Sequence, residues 1–253
     1  MRNVMTTLIS VQETSGGYPI AAAAFALGFA AVHLAVGRWE FARAERRRQF
    51  LSAGGGASVA YVFVLILPEV SEAATVVGEI RGDVLLAEQL VFLVALVGFV
   101  VFYGIEVLVT QRRDEDVEES KFVYRAHLLS FAIYSGLIGY LLFHQEVAGL
   151  SNLFFYAVAM ALHFAVTDYG LHRHYGASFD TGGRWVLASG TVFGAAVGFL
   201  TGIDVYALAL LFAFVSGGIV FNVIKEELPA LTESRFVSFV VGAVVFAALV
   251  LLT

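Results

Sequence analysis

The sequence contains no cysteine. That excludes a disulfide framework, thiolate metal ligands and a cysteine nucleophile together, leaving His, carboxylate, hydroxyl and amide groups for any chemistry. Charge is also scarce: Asp, Glu, Lys and Arg make up 14% of the 253 residues against 59% hydrophobic ones, and mean hydropathy is +0.84. A soluble domain of this length has no core large enough to hide so much apolar surface, so the bilayer is the solvent for much of it. The net charge of −6 comes from short acidic stretches such as 114–119, which read as solvated loop, and it gives no sign of a nucleic-acid partner. No P-loop, Gly-x-Ser-x-Gly elbow or His-Glu-x-x-His helix occurs, so ATP-driven transport and familiar hydrolase chemistry have no basis here. Residues 1–17 lack the basic start, apolar core and cleavage site of a secretory signal and read as a short polar tail.

What is present is a series of eight apolar runs, each long enough to cross the hydrocarbon layer as a helix, at about 18–37, 51–69, 89–110, 126–143, 150–170, 185–201, 205–223 and 236–252. The fold class is therefore an all-α integral membrane protein, a single polytopic domain of eight transmembrane helices. Gly202 and Asp204 supply the turn between the sixth and seventh runs. The basic residues test this count, because Lys and Arg are retained on the cytoplasmic side. Arg38, Arg43, Arg46, Arg47 and Arg48 follow the first run; Arg112, Arg113, Lys121 and Arg125 the third; Arg173 and Arg184 the fifth; Lys225 and Arg235 the seventh. Thirteen of the fifteen thus fall on one side, with Arg2 and Arg81 opposite, which places both termini outside the cytoplasm. A prokaryotic plasma membrane suits such a chain.

The second and seventh runs share a pattern: SAGGGASVAYVFVLILPEV and FVSGGIVFNVIKEELPAL each carry a small-residue cluster, an aliphatic run and Leu-Pro. They cross in opposite directions, which predicts an inverted repeat of helices 1–3 and 6–8 around helices 4 and 5, as in secondary transporters. Gly190, Gly194 and Gly198, Gly54–Gly56, Ser135 with Gly139, and Ser216–Gly218 are small clusters that let helix backbones approach closely.

Ionisable groups inside a span are costly and mark functional candidates. They are His33, Glu69, Glu106, His127, His163, Asp168 and the pair Glu226 and Glu227, with Asn222 adding a polar side chain one turn before Glu226. Asp168 and His172 are four apart and share a helix face, as two ligands of one cation would. His163 shares its face with Thr167 instead. A His and Asp set without Cys suits zinc, iron or manganese. The competing reading of His172 and His174 is a solvated helix end, and His33 and His127, taken singly, read as interfacial or packing residues. Glu69, at a span end, reads equally as an ion-entry group or as an interfacial carboxylate.

The order of elements resembles the Zrt/Irt-like (ZIP) metal transporters over most of the chain. Leu67-Pro68-Glu69 is similar to the end of that family's Gly-rich second span, GFVVFYGIEVLVTQRR to its third with Glu106 at the Glu, and SGGIVFNVIKEELPAL to its seventh. The resemblance implies a carrier of divalent metal ions, zinc, iron or manganese, working by alternating access through spans 2, 4, 5 and 7. It implies no enzyme and no cofactor beyond bound metal; the bilayer and a second copy of the chain are the other partners it allows. The family's fourth-span ligands are replaced here by Phe131, Ala132 and Ser135, and HFAVTD at 163–168 keeps only the first His and the acidic last position of the fifth-span motif. The implied metal set is therefore a reduced one: His163, Asp168 and Glu106, with His127 or Asn222 assisting and Glu69 at the ion entry. Two alternatives stand beside it. One is a ZIP-fold protein that has lost transport and serves as sensor, partner or structural subunit; the other is an intramembrane metal enzyme using His163 and Asp168.

Overall fold

A computed structural model describes residues 18–35, 44–82, 84–111, 117–145, 149–227 and 235–252. The polar tail 1–17, Arg38, Arg43, Arg112, Arg113, residues 114–116 of the acidic stretch and Pro229 lie outside the described residues, as do the side chains of Arg47, Arg81, Glu226 and Glu227.

Eight helical rods follow one another. They are α1 (Pro19–Ala35), α2 (Ala44–Tyr61, a π-helical turn over Val62–Ile66, then Leu67–Arg81), α3 (Val84–Gln111) and α4 (Val117–Leu141). Then come α5 (Leu150–Tyr175), α6 (Arg184–Leu200, entered through a π-helical turn over Phe179–Gly183), α7 (Val205–Asn222, continued by a π-helical turn over Val223–Glu227) and α8 (Phe236–Leu251). Among the described residues there is no strand.

Five of these segments are long and apolar enough to cross a membrane: Arg48–Ile80, Glu88–Gln111, Leu150–Tyr175, Phe179–Leu200 and Val205–Lys225. α1 and α8 are apolar but shorter. The outward faces fit a lipid surround, since α3 exposes Leu93, Leu96, Val97 and Val100, and α8 exposes Val237, Val241, Val244 and Val245.

α2 runs well past residue 69, where the apolar pattern breaks. Pro68 has no N–H, and its ring crowds the carbonyl four residues back. The wide turn at Val62–Ile66 sits where that ring would strike and lets the helix continue to Gly82, whose φ of 76° and N–H bonded to Gly78 O close it. The turn at 201–204 uses an extended Thr201 and an Asp204 cap, its carboxylate accepting from Ala207 N at 3.0 Å. Gly202 does not take a positive φ there.

Packing is set by glycine. α2 lies on α8, α3 on α7 and α4 on α6. A Cβ on Gly56 would strike Phe239 O and one on Gly242 would strike Ala53 O; likewise Gly98 faces Phe214 O and Gly217 faces Ala95 O. Gly194 and Gly139 on the α4–α6 seam are equally tight, against Gly136 O and Thr191 O. α5 touches α1 and α2, and half of its residues are buried.

The helices alternate in direction, so their contacts define two ends. Arg235 reaches Glu45 and Ser52, Lys225 reaches Glu106, and His127 reaches Tyr175, which puts Arg235 and Lys225 at one end. At the other, His144 of the α4–α5 turn donates from Nε2 to Gly198 O and Thr201 O, both at 3.0 Å.

Candidate functional site

Among the described residues, three groups of buried polar side chains join helices. The first joins α1, α5 and α6. On α1, Ala22, Ala26, Phe29 and His33 form one buried stripe at helical spacing. On α5, Phe164 and Asp168 are one turn apart, so the two stripes interlock: Phe29 meets Phe164 edge-on at 5.3 Å, and the His33 ring lies 4.5 Å from it. This packing delivers His33 Nδ1 to Asp168 Oδ2 at 2.6 Å and His33 Nε2 to Thr191 Oγ1 at 3.1 Å. A carboxylate only accepts, so Nδ1 carries the proton. The order carboxylate, imidazole, hydroxyl is that of a nucleophilic triad. Here, however, Asp168, His33 and Thr191 are 1%, 0% and 0% exposed, and Thr191 also sits 3.2 Å from Leu187 O. The group ties three helices together.

The second group lies on α2, α4, α5 and α7. His163 Nε2 is 3.0 Å from Tyr134 OH, and Tyr134 is packed edge-on against Phe102 at 4.9 Å. Gly218 leaves room for both rings. Around this contact are buried polar atoms with no hydrogen-bond partner: Ser58 Oγ and Tyr61 OH on α2, Thr167 Oγ1 on α5, and both amide atoms of Asn222 on α7. Asp168 Oδ1 is also unpartnered. Gly54 against Val166 holds α2 to α5 beside Thr167, and the turn after Asn222 packs on both α2 and α5. Tyr61 and Asn222 each stand immediately before a π-helical turn.

The third group closes the basic end. Glu106 Oε2 is 2.6 Å from Lys225 Nζ and 3.3 Å from His127 Nε2, the latter approach being off-line for a hydrogen bond. His127 Nδ1 is held by Tyr175 OH at 2.6 Å. Tyr175 packs on Tyr124, whose hydroxyl donates to Ser178 O at 2.9 Å. At the opposite end Glu69 is buried and hydrogen-bonded to Asn152, tying α2 to the start of α5.

The candidate residues are therefore dispersed. Asp168 and His172 share a helix face but not a partner: Asp168 is taken by His33, whereas His172 Nδ1 contacts Asp180 Oδ1 at 2.8 Å. His163 and Asp168 face different neighbours, α4 and α1. Glu106 and His127 do meet. Among the described residues, no three His, Asp or Glu side chains converge on a metal-holding position. Sequence reasoning missed Thr191, Tyr134, Tyr175 and Lys225. Each is a hydroxyl or a helix-end cation, readable in advance only as a small, aromatic or interfacial residue.

Comparison with protein-family models gave no match, and a search of curated proteins gave none either.

Proposed function

We propose that the chain crosses the membrane eight times as two inverted halves, α1–α3 and α6–α8 around α4 and α5, and carries a divalent cation by alternating access through α2, α4, α5 and α7. Zinc, iron and manganese are the cargo class, as the ZIP resemblance implies. The observation that carries this reading is the set of buried polar atoms without partners on α2, α5 and α7, beside the Tyr134–His163 contact. Leaving one such group unsatisfied costs about 1–3 kcal/mol. Most of the unpartnered atoms lie on these three helices, with His127 Nε2 on α4 and Arg184 Nε at the start of α6 besides; with Glu69 at one end and Glu106 and His127 at the other, they are the lining expected of a polar route.

Support for the inverted halves comes from α2 and α7. Gly56 and Pro68 are twelve residues apart, as are Gly217 and Pro229, and a π-helical turn falls six residues after each glycine. In that register Tyr61 corresponds to Asn222, the two unpartnered side chains in front of the turns. The reciprocal glycine contacts of α2 with α8 correspond likewise to those of α3 with α7.

A specific observation favours the second reading, a ZIP-like fold without transport. Phe131 and Ala132, at two of the positions where the family's fourth span carries ligands, are buried in packing, Phe131 against His127 and Tyr134 and Ala132 against Gly190.

Uptake of zinc, iron(II), manganese and cadmium into proteoliposomes separates the two. Transport predicts uptake that collapses in His163→Ala and Asn222→Leu while both variants stay monodisperse. No uptake of any of these ions by folded wild-type protein would select the second reading.

A further inference from the structure

Within the proposed route, one position already holds a cation. Glu106 Oε2, at the end of α3, contacts the Lys225 ammonium at 2.6 Å, and Lys225 belongs to the π-helical turn that ends α7. His127 stands beside the same oxygen. Its Nε2 is 3.3 Å away, buried, and without a hydrogen-bond partner. The other ring nitrogen is 2.6 Å from Tyr175 OH. Tyr175 oxygen can accept an N–H from Nδ1, which would leave the Nε2 lone pair facing Glu106. That is the outer support a metal-ligating imidazole ordinarily has.

We propose that Glu106 and His127 form a two-donor site for a divalent transition cation and that Lys225 occupies it in this conformation as a tethered competitor. This deepens the transport reading and rests on it. A carboxylate oxygen and an imidazole nitrogen suit zinc, manganese or cobalt, whereas an ammonium can satisfy only the carboxylate. Glu106 and Lys225 are both part-exposed, so the pair is exchangeable rather than locked. An arriving metal would displace the ammonium, and with it the turn through which α7 contacts α2 and α5. Cation binding would then be tied mechanically to the movement of one half against the other.

The experiment uses the full chain in detergent with cobalt(II) and zinc(II) as probes. Lys225→Met should bind either ion about tenfold more tightly than wild type, and Glu106→Gln or His127→Ala in that background should abolish the gain. The cobalt absorption spectrum should show nitrogen ligation that His127→Ala removes. A second readout needs no variant. Lys121 and Lys225 are the chain's two lysines, so acylation by a water-soluble reagent, read by mass spectrometry, should accelerate at Lys225 on adding zinc and stay constant at Lys121. Unchanged or slowed Lys225 labelling, or a folded Lys225→Met whose affinity matches wild type, would overturn the proposal. Displacement seen in protein that moves no ion in liposomes would keep the site and remove the transport reading; transport without displacement would do the reverse.

Discussion

His33 and Asp168, 135 residues apart in sequence, meet at 2.6 Å in the interior of the bundle. The carboxylate that shares a helix face with His172 is thereby committed to α1, and through His33 to Thr191 on α6. Breaking a buried pair from one side leaves the other charge or dipole without compensation, at about 3–5 kcal/mol. Asp168→Ala and His33→Ala should each lower the unfolding temperature in detergent by on the order of 10 °C. Asp168→Asn, which keeps an acceptor, should lose less. The double Ala variant should lose clearly less than the sum of the singles; strict additivity would show that the two side chains do not act as a unit.

That pairing also marks where the sequence stops being readable. The helical character of the apolar segments follows from local chemistry, and five of them are long and apolar enough to cross a membrane. Which face of α5 meets which neighbour does not follow from local chemistry. It depends on Gly139 and Gly194 drawing α4 and α6 together and on Phe29 and Phe164 interlocking α1 with α5, relationships that no spacing within one segment records. Thr191 was hidden for the same reason: between Gly190 and Gly194 it reads as one more small residue, and only the fold gives it a histidine.

Glycine substitutions should divide by sign. Gly217→Ala places a methyl group against Ala95 O on the α3–α7 seam, and Gly242→Ala does so against Ala53 O on the α2–α8 seam. Overpacking of this kind costs about 1–3 kcal/mol. At Gly28 and Gly104 an added methyl group would meet nothing within 4 Å, so Ala there should stabilise its helix by about 0.5–1 kcal/mol. Thermal unfolding of the four variants in one detergent checks both directions. A destabilised Gly28→Ala would mean that this face is covered by another chain.

The exposed pair Arg235–Glu45, at 2.6 Å, should matter little despite its short contact. Its hydrogen bond to Arg235 holds the Glu45 carboxyl below the usual range. That contribution is present above the ordinary carboxylate pKa of about 4.5 and is lost as pH falls further. Both side chains are in solvent, where screening removes most of the attraction. Glu45→Gln should leave the unfolding temperature at neutral pH and physiological salt unchanged. A clear drop would show that the start of α2 depends on this ion pair rather than on the Ser52 contact with Arg235 N.

His144 provides the pH-dependent test. Burial pushes its imidazole below the ordinary value of about 6.5, opposed by the carbonyls of Gly198 and Thr201, which accept its N–H. The folded protein therefore favours the neutral ring. Below about pH 6.5 the unfolded chain takes up a proton that the folded chain resists. The stabilisation is complete above that pH and declines as pH falls toward the depressed folded value. Wild-type protein should lose more thermal stability between pH 8 and pH 5.5 than His144→Gln, which keeps a donor for the α6 end but does not titrate. Equal losses in the two proteins would show that acid sensitivity arises elsewhere. A larger loss in the variant would reverse the sign argued here, because it would require the folded state to prefer the imidazolium.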